Sequence, residues 1–416
     1  MAPQLSPGRA VAAAVALSLA AFAYVTTELL PIGLLTLIAP DLGRSRSEVG
    51  LLVTGYAFVV VLMSLPLTHV TRRIPRRQLL GATLAVFTLA TALSAVADSY
   101  AVLAAARLVT ALTQALFWSV VGPTVTGLFP PEVRGRIVAR FAVGPALAPV
   151  LGVPIGTWLG QQAGWRAAFL VMAGLGLVTG IVVTLLVPSF RPADGGAARG
   201  TAPDARAYRT LLVVTALGIT GYLTAQTYIT PFLLDVSGFP PASLSPLLFV
   251  AGAAGVVGTM VIGRVIDTRP ATAIAVPLAV VALSLLMLYA FGTVKPVTVV
   301  LLGVAGLAFS ALAAAVQGRT LQVAPANTDL ASAGSGSAFN VGIAAGSLIG
   351  GVILPAAGAR PLALVGGVLA AAALAVTAVD GRLRGRVPGQ GRKPAPEAGA
   401  PATEAMPAVV AGHGRL

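Results

Sequence analysis

The chain has no cysteine, two histidines and only 13 acidic residues among 416. The first absence excludes disulfides and thiolate metal sites. The second leaves His69 beside a loop and His413 near the end, so no His-Glu-x-x-His zinc pair can form. No Gly-x-x-x-x-Gly-Lys phosphate loop occurs, which excludes ATP-driven work by this chain alone. GLGLVTG at 174–180 is glycine-rich, but it lies in an apolar run and reads as a helix-packing surface. Charge as a whole is scarce. Charged residues make up 10% of the chain, where a water-soluble domain carries roughly a quarter. A soluble surface cannot be built from that stock.

What the chain has instead is apolar length. Hydrophobic residues are 57% of the sequence and mean hydropathy is +0.91. A helix crossing a bilayer needs about 20 apolar residues. Twelve runs reach spanning length, at 11–38, 49–69, 79–97, 101–122, 138–160, 166–188, 210–234, 244–266, 271–292, 297–317, 332–355 and 361–379. Arg9, an Ala/Val/Leu run and AFA at 21–23 imitate a secretory signal, but the run continues to Ile38 and eleven more follow, so a first span is expected. The expected fold is an all-α membrane protein of twelve transmembrane helices.

The net charge of +14 would suggest nucleic acid in a soluble protein. The positions of the charges argue otherwise. With the first residues placed in the cytoplasm, 21 of the 27 Lys and Arg fall in cytoplasmic segments. Five fall outside (Arg44, Arg46, Arg166, Lys295 and Arg360), and Arg107 lies inside a span. This is a positive-inside asymmetry, with both termini cytoplasmic in a bacterial inner membrane. The basic excess is then topology and contact with anionic lipid, and no nucleic-acid partner is expected.

The chain divides around PSFRPADGGAARGTAPDARAYRT, 188–210, a Gly-, Pro- and charge-rich stretch without a periodic apolar face. The expected organisation is an N-terminal six-helix bundle over 1–188, a cytoplasmic linker over 189–209, a C-terminal six-helix bundle over 210–380 and a disordered cytoplasmic tail over 381–416. The halves resemble each other weakly. YVTTELLPIGLL from Tyr24 compares with YLTAQTYITPFLL from Tyr222, each with a mid-span proline, Pro31 and Pro231. The loops THVTRRIPRR from Thr68 and GRVIDTRPAT from Gly263 also compare. Duplicated, pseudo-symmetric halves around a midplane site are a transporter architecture, and the 47 glycines permit close helix contacts.

Glu28 is the only charge between Val11 and Ile38. A carboxylate inside a membrane is a functional candidate by default. At about 1.5 Å per residue, Glu28 lies roughly 15 Å from the outer end of its span and Arg107 roughly 9 Å from that of span four. The two are within reach if those spans adjoin, either as a structural ion pair or as a working site. Burial and a neighbouring guanidinium act in opposite senses on a carboxyl's proton affinity. A carboxyl whose access to water alternates can therefore load a proton on one side and release it on the other, a movement worth about 2.3 kcal/mol per 100 mV. Candidate cavity walls are Tyr24 one turn before Glu28; Gln114 and Trp118, which share a helical stripe with Arg107; Tyr222, Gln226 and Tyr228 on span seven; and Ser337, Asn340 and Ser347 on span eleven. Each alone could equally be an interhelical hydrogen bond.

These residues resemble the major facilitator superfamily over nearly the whole chain, and within it the bacterial drug:proton antiporter branch that includes sugar efflux transporters and chloramphenicol exporters. TELLPIGLL, Thr27 to Leu35, is similar to that branch's first-helix signature, with Leu29 in place of the usual Phe. GLLVTGYA from Gly50 and FWSV from Phe117 resemble the sugar-efflux group, and the resemblance adds Phe117 to the cavity. Arg107 occupies the position of the family's buried fourth-helix Arg. LGVPIGTWLGQQAGWRAAF, Leu151 to Phe169, resembles the fifth-helix antiporter motif with Gly152, Pro154 and Gly156, and SAFNVGIAAGSLIGG carries the eleventh-helix Asn at Asn340. The gating motif after span two departs from the family pattern. Thr68, Arg72 and Pro75 replace its Gly, Asp and Gly, and only Arg73, Arg76 and Arg77 match; the second-half copy keeps Gly263 and Asp267.

The resemblance implies a proton-coupled secondary transporter exporting sugars or similar small polar solutes, working as a monomer with no cofactor or metal. A drug or nucleoside exporter of the same family is the near alternative. A passive facilitator or importer would not need Glu28, a membrane enzyme would need a catalytic cluster, and a receptor would need a soluble signalling domain.

Overall fold

The computed structural model describes residues 6–71, 73–130, 133–188, 203–266, 268–325 and 328–385. Among these residues all regular structure is helical. Hydrocarbon leaves no partner for a free backbone group, so each apolar run closes its hydrogen bonds internally. The spans are α1 (Pro7–Asp41), α2 (Arg46–Thr71), α3 (Arg76–Ala95), α4 (Tyr100–Gly127), α5 (Arg134–Ala163), α6 (Trp165–Leu186), α7 (Ala205–Val236), α8 (Leu244–Ile262), α9 (Pro270–Phe291), α10 (Lys295–Val323), α11 (Thr328–Ala357) and α12 (Arg360–Gly385). Eleven single helices are long and apolar enough to cross a membrane, and the bent pair forming α7 makes a twelfth. The expected twelve-span fold is therefore present. The gating position Asp267, its counterpart Arg72, most of the linker and the tail beyond residue 385 lie outside the described residues.

Two spans are interrupted, and proline accounts for both. α5 widens into a π-turn at Ala148–Gly152, a segment containing Pro149 and preceding Pro154. α7 bends by 44° between Gln226 and Ile229. Pro231 has no N–H to offer the carbonyl of Thr227, and its ring crowds that carbonyl.

Four connections at one end of the bundle turn on a glycine of positive φ: Gly43, Gly164, Gly238 and Gly358. Side chains strain in this region and glycine does not, so these turns are short. The same end holds the five cations assigned outside. Arg46 pairs with Asp235, Arg44 with Glu48 and Arg166 with Asp41. Arg360 donates to the carbonyls of Tyr289 and Ala290, and Lys295 lies over Phe239.

The halves meet through α2 against α11, α5 against α8, and α1 against α7. The first two contacts are images of each other under the pseudo-twofold relation that exchanges α2 with α8 and α5 with α11. Hydrogen bonds described between the halves gather toward the glycine-turn end. Ser47 donates to the carbonyl of Gly351, Thr54 and Ser347 share a bond of 2.7 Å, and Thr230 donates to the carbonyl of Ile32 at 3.2 Å. Within the second half, Tyr228 donates to the Ser347 carbonyl at 3.0 Å and so braces α7 on α11 beside them. The halves are sealed at this end. Within the first half, α5 runs along α1 in a fixed register. Gly144, Gly152, Gly156 and Gly160 face Ser18, Thr26, Leu30 and Leu34, so close that a β-carbon at any of them would overlap its neighbour.

Candidate functional site

Glu28 sits mid-way along α1, which runs three residues past its expected end. Its depth is thus about 20 Å rather than 15 Å at 1.5 Å per residue. It is buried, as are Arg107, Gln114 and Tyr56 around it. The Gln114 amide nitrogen donates to Glu28 Oε2 at 2.7 Å, and the Tyr56 hydroxyl donates to Gln114 Oε1, also at 2.7 Å. Three helices, α1, α4 and α2, are joined by this line of side chains.

Arg107 does reach α1, but not as the ion pair considered from the sequence. Its two terminal nitrogens donate to backbone carbonyls, Nη1 to Thr27 at 2.6 Å and Nη2 to Glu28 at 3.0 Å. Among the described residues the three ion pairs all lie at the sealed end, and none joins Arg107 to Glu28. The reason lies four residues along the helix. Thr27 would accept from the N–H of residue 31, but that residue is Pro31, which has none. The guanidinium fills the vacancy. Its Cζ also lies 4.5 Å from the Tyr56 ring centre and 5.9 Å from that of Phe169. The carboxylate is left with a neutral hydrogen-bond donor and a cation held beside it on the backbone.

The other expected cavity residues separate into three places. Tyr24 and Phe117 pack with Phe87 in the core of the first half, at ring separations of 4.2 and 4.6 Å from Tyr24. Both are fully buried, because Tyr24 lies on the face of α1 turned toward α3 and α4, so neither lines a cavity in this state. Trp118, next along the chain, is 37% exposed and stands edge-on to Phe117 and Phe141. In the second half, Tyr222 stacks on Phe309 at 4.0 Å, with Phe339 6.0 Å further on. Gln226 is partly buried near the α7 bend, and Asn340 donates to the Gly336 carbonyl one turn back on its own helix. Tyr228 is not a cavity wall here but part of the seal. It is fully buried between Gly50 of α2 and Gly350 and Gly351 of α11.

The antiporter-motif residues lie on α5 between α1 of their own half and α8 of the other. Gly152 and Gly156 face α1, and the Pro154 carbonyl accepts from Ser245 of α8 at 2.8 Å. Of the gating arginines, Arg73 and Arg77 are exposed and Arg76 is buried, and Gly263 lies in the turn after α8. Tyr56, Ser47 and Thr54 were missed as site residues. A signal existed for Tyr56 and Thr54, since GLLVTGYA places a tyrosine and a threonine two residues apart in an otherwise apolar span.

Comparison with known proteins agrees with this twelve-span fold. The family profile described as Major Facilitator Superfamily matches residues 16–328. A "Probable sugar efflux transporter" of Helicobacter acinonychis (strain Sheeba) is 34% identical over 361 residues, covering 86% of this chain and 92% of its own. One from Mannheimia succiniciproducens is 33% identical over 362 residues, covering 86% and 91%. Among solved structures, a bacterial homolog of the human lysosomal transporter Spinster, in an inward-facing and occupied conformation, superposes with a TM-score of 0.69 at 16% identity over 91% of this chain and 98% of that one. The human organic anion transporter MFSD10 gives 0.64 at 16% identity, covering 90% and 100%. At these identities the structures speak for the fold alone.

Proposed function

Because the chain belongs to the Major Facilitator Superfamily, and is thus a multi-pass membrane transporter and not an enzyme, we propose that it exports sugars or similar small polar solutes in exchange for protons by alternating access. The observation that carries the proton half of this reading is Glu28, buried mid-span with a neutral amide as its hydrogen-bond partner. An ion-paired carboxylate would lose its partner each time it took up a proton. This one keeps its hydrogen bond in either state, so proton exchange does not dismantle the helix packing around it.

The solute half rests on the relatives' names and on wall chemistry. Trp118 offers an exposed aromatic face, and Asn340 and Gln226 offer amides without fixed charge. Apolar ring faces and amide hydrogen bonds suit a neutral polyhydroxylated solute. The Tyr222–Phe309–Phe339 aromatic row favours, as a second reading, a drug or nucleoside with a flat ring. We place the sealed end outside and both termini in the cytoplasm of the bacterial inner membrane, following the positive-inside count. In that orientation the state seen is closed to the outside, and the protein works as a monomer.

The test is uptake of a panel of labelled sugars, nucleosides and chloramphenicol into proteoliposomes holding an imposed pH gradient. Uphill accumulation of a sugar that collapses with the gradient, and is lost in Glu28→Gln while exchange down a concentration gradient survives, is expected. Accumulation by Glu28→Gln that still depends on the gradient would move the proton carrier elsewhere.

A further inference from the structure

We propose that Tyr56 is a positioning residue for the Glu28 carboxyl, acting through Gln114 in both protonation states of that carboxyl. The inference rests on the reading of Glu28 as the proton carrier. Gln114 was expected to touch solute, but its hydrogen-bonding capacity is directed elsewhere. Its oxygen accepts from Tyr56, its nitrogen donates to Glu28, and the side chain is 3% exposed.

The donor and acceptor inventory makes Tyr56 more than a packing residue. A primary amide has one face that donates and one that accepts, a carboxylate only accepts, and a phenol does either. With Glu28 ionised, the amide nitrogen must face the carboxylate, and the phenol then donates to the amide oxygen. This is the arrangement in the structure. With Glu28 protonated on that oxygen, the acid O–H can donate to the amide oxygen. The amide then turns over, and its nitrogen donates to the phenol oxygen. The carboxyl and both ends of the amide keep a partner in each state, and the proton count is unchanged apart from the one on Glu28. A phenylalanine at 56 satisfies neither state, because the outward end of the amide is left buried without a partner, a loss that is costly in a low-dielectric interior.

Tyr56 is also held in place independently of Gln114. Its ring lies under the Arg107 guanidinium, 4.5 Å away, and that guanidinium is fixed to the α1 backbone. The charged and titratable groups described around Glu28 are therefore Arg107 from α4, Tyr56 from α2 and Tyr24 from its own helix. Of these, Tyr56 alone touches the amide that touches the carboxyl. It lies on the helix that carries Ser47 and Thr54 of the seal, so the line from Glu28 ends on an element of the first half that bonds to the second.

Infrared difference spectroscopy of the full chain in lipid, stepped in pH, tests this without knowledge of the solute. The protonated carboxyl of Glu28 gives a C=O stretch that is absent in Glu28→Gln, and its frequency reports the hydrogen bonds made to that carboxyl. Wild type is expected to show one narrow band. Tyr56→Phe and, separately, Gln114→Met should keep the band but move it to the frequency of a more weakly bonded carbonyl and broaden it, and should move its midpoint in pH. Tyr56→Phe is nearly isosteric, and Gln114→Met covers the case in which it fails to fold. A band unchanged in frequency and midpoint in both variants overturns the positioning role while leaving Glu28 as carrier. A wild type with no pH-dependent Glu28 band removes the carrier reading itself, and the positioning role with it.

Discussion

Gly50→Ala should open the sealed end without unfolding the protein. Gly50 of α2 faces the Tyr228 ring of α7, and a β-carbon there would overlap the hydroxyl and two ring carbons. The ring cannot retreat. On its far side a β-carbon at Gly350 would stand 2.5 and 2.7 Å from it and 2.8 Å from the Thr224 carbonyl, so the ring already fills the slot between α2 and α11. Added methyl groups in a packed interior cost about 1–3 kcal/mol. Here the cost falls only on the state in which α2 and α7 touch. The gain from replacing glycine by alanine in a helix, roughly 1 kcal/mol, applies whether the seal is closed or open. Since about 1.4 kcal/mol is a tenfold change in an equilibrium, the closed-to-open ratio should fall by about 5- to 150-fold.

The chain has no native cysteine, so spin labels at Ser45 and Ala357 report cleanly on the two sides of the seal by double electron–electron resonance. Both residues are exposed and line a cavity of about 460 Å³ at that end. The parent should give one short distance and Gly50→Ala a second, longer population. Tyr228→Phe should not reverse the shift, because ring carbons as well as the hydroxyl overlap; Tyr228→Ala should. Disrupting the neighbouring Arg46–Asp235 pair by Asp235→Asn should do far less. Its side chains are 39% and 49% exposed, and such pairs contribute roughly 0–1 kcal/mol. An unchanged distance distribution in Gly50→Ala, together with a lowered melting temperature, would show that the contact is general packing and refute the argument.

Three further outcomes are expected, one from the charge distribution and two from other contacts. Cysteines at Ala198 and Ala398 should be shielded from an impermeant maleimide in intact cells while one at Arg44 is labelled; labelling of Ala198 from outside would reverse the orientation. Arg107→Lys cannot span two carbonyls with a planar fork and should destabilise by about 1.5–3 kcal/mol for each bond lost. Pro31→Ala, which restores an N–H for Thr27, should shrink that loss in thermal melts, and equal losses in both backgrounds would sink the explanation. Gly144→Ala should lower the melting temperature more than Gly156→Ala, because the first meets the Ser18 backbone carbonyl and the second only the end of the Leu30 side chain.

The spans were legible because the bilayer sets a length and forbids charge, and both constraints act residue by residue. The bend in α7 was less so. Pro31 and Pro231 occupy matching places in the two halves, yet α1 stays continuous and α7 breaks. A proline frees a carbonyl in either helix. In α1 a donor arrives from elsewhere: Arg107, 80 positions away in sequence, bonds the Thr27 carbonyl. Sequence spacing within a helix carries no trace of it.

The site was legible to a similar depth. Glu28 and Arg107 stood out because nothing else in their spans is charged, and the structure brings them together. Their relation was the harder part. Two opposite charges at matched depth suggest an ion pair, but the guanidinium is drawn to the carbonyl that Pro31 leaves free, so the motif Thr27-Glu28-x-x-Pro31 reads differently once that vacancy is counted. The proline at its end directs the arginine to the backbone, and the backbone holds the positive charge near the carboxylate without bonding to it. A buried carboxylate needs some compensation to exist at all. Compensation fixed to the helix, and not to the carboxyl oxygens, leaves those oxygens free to change their proton without a salt bridge having to break and re-form on every cycle.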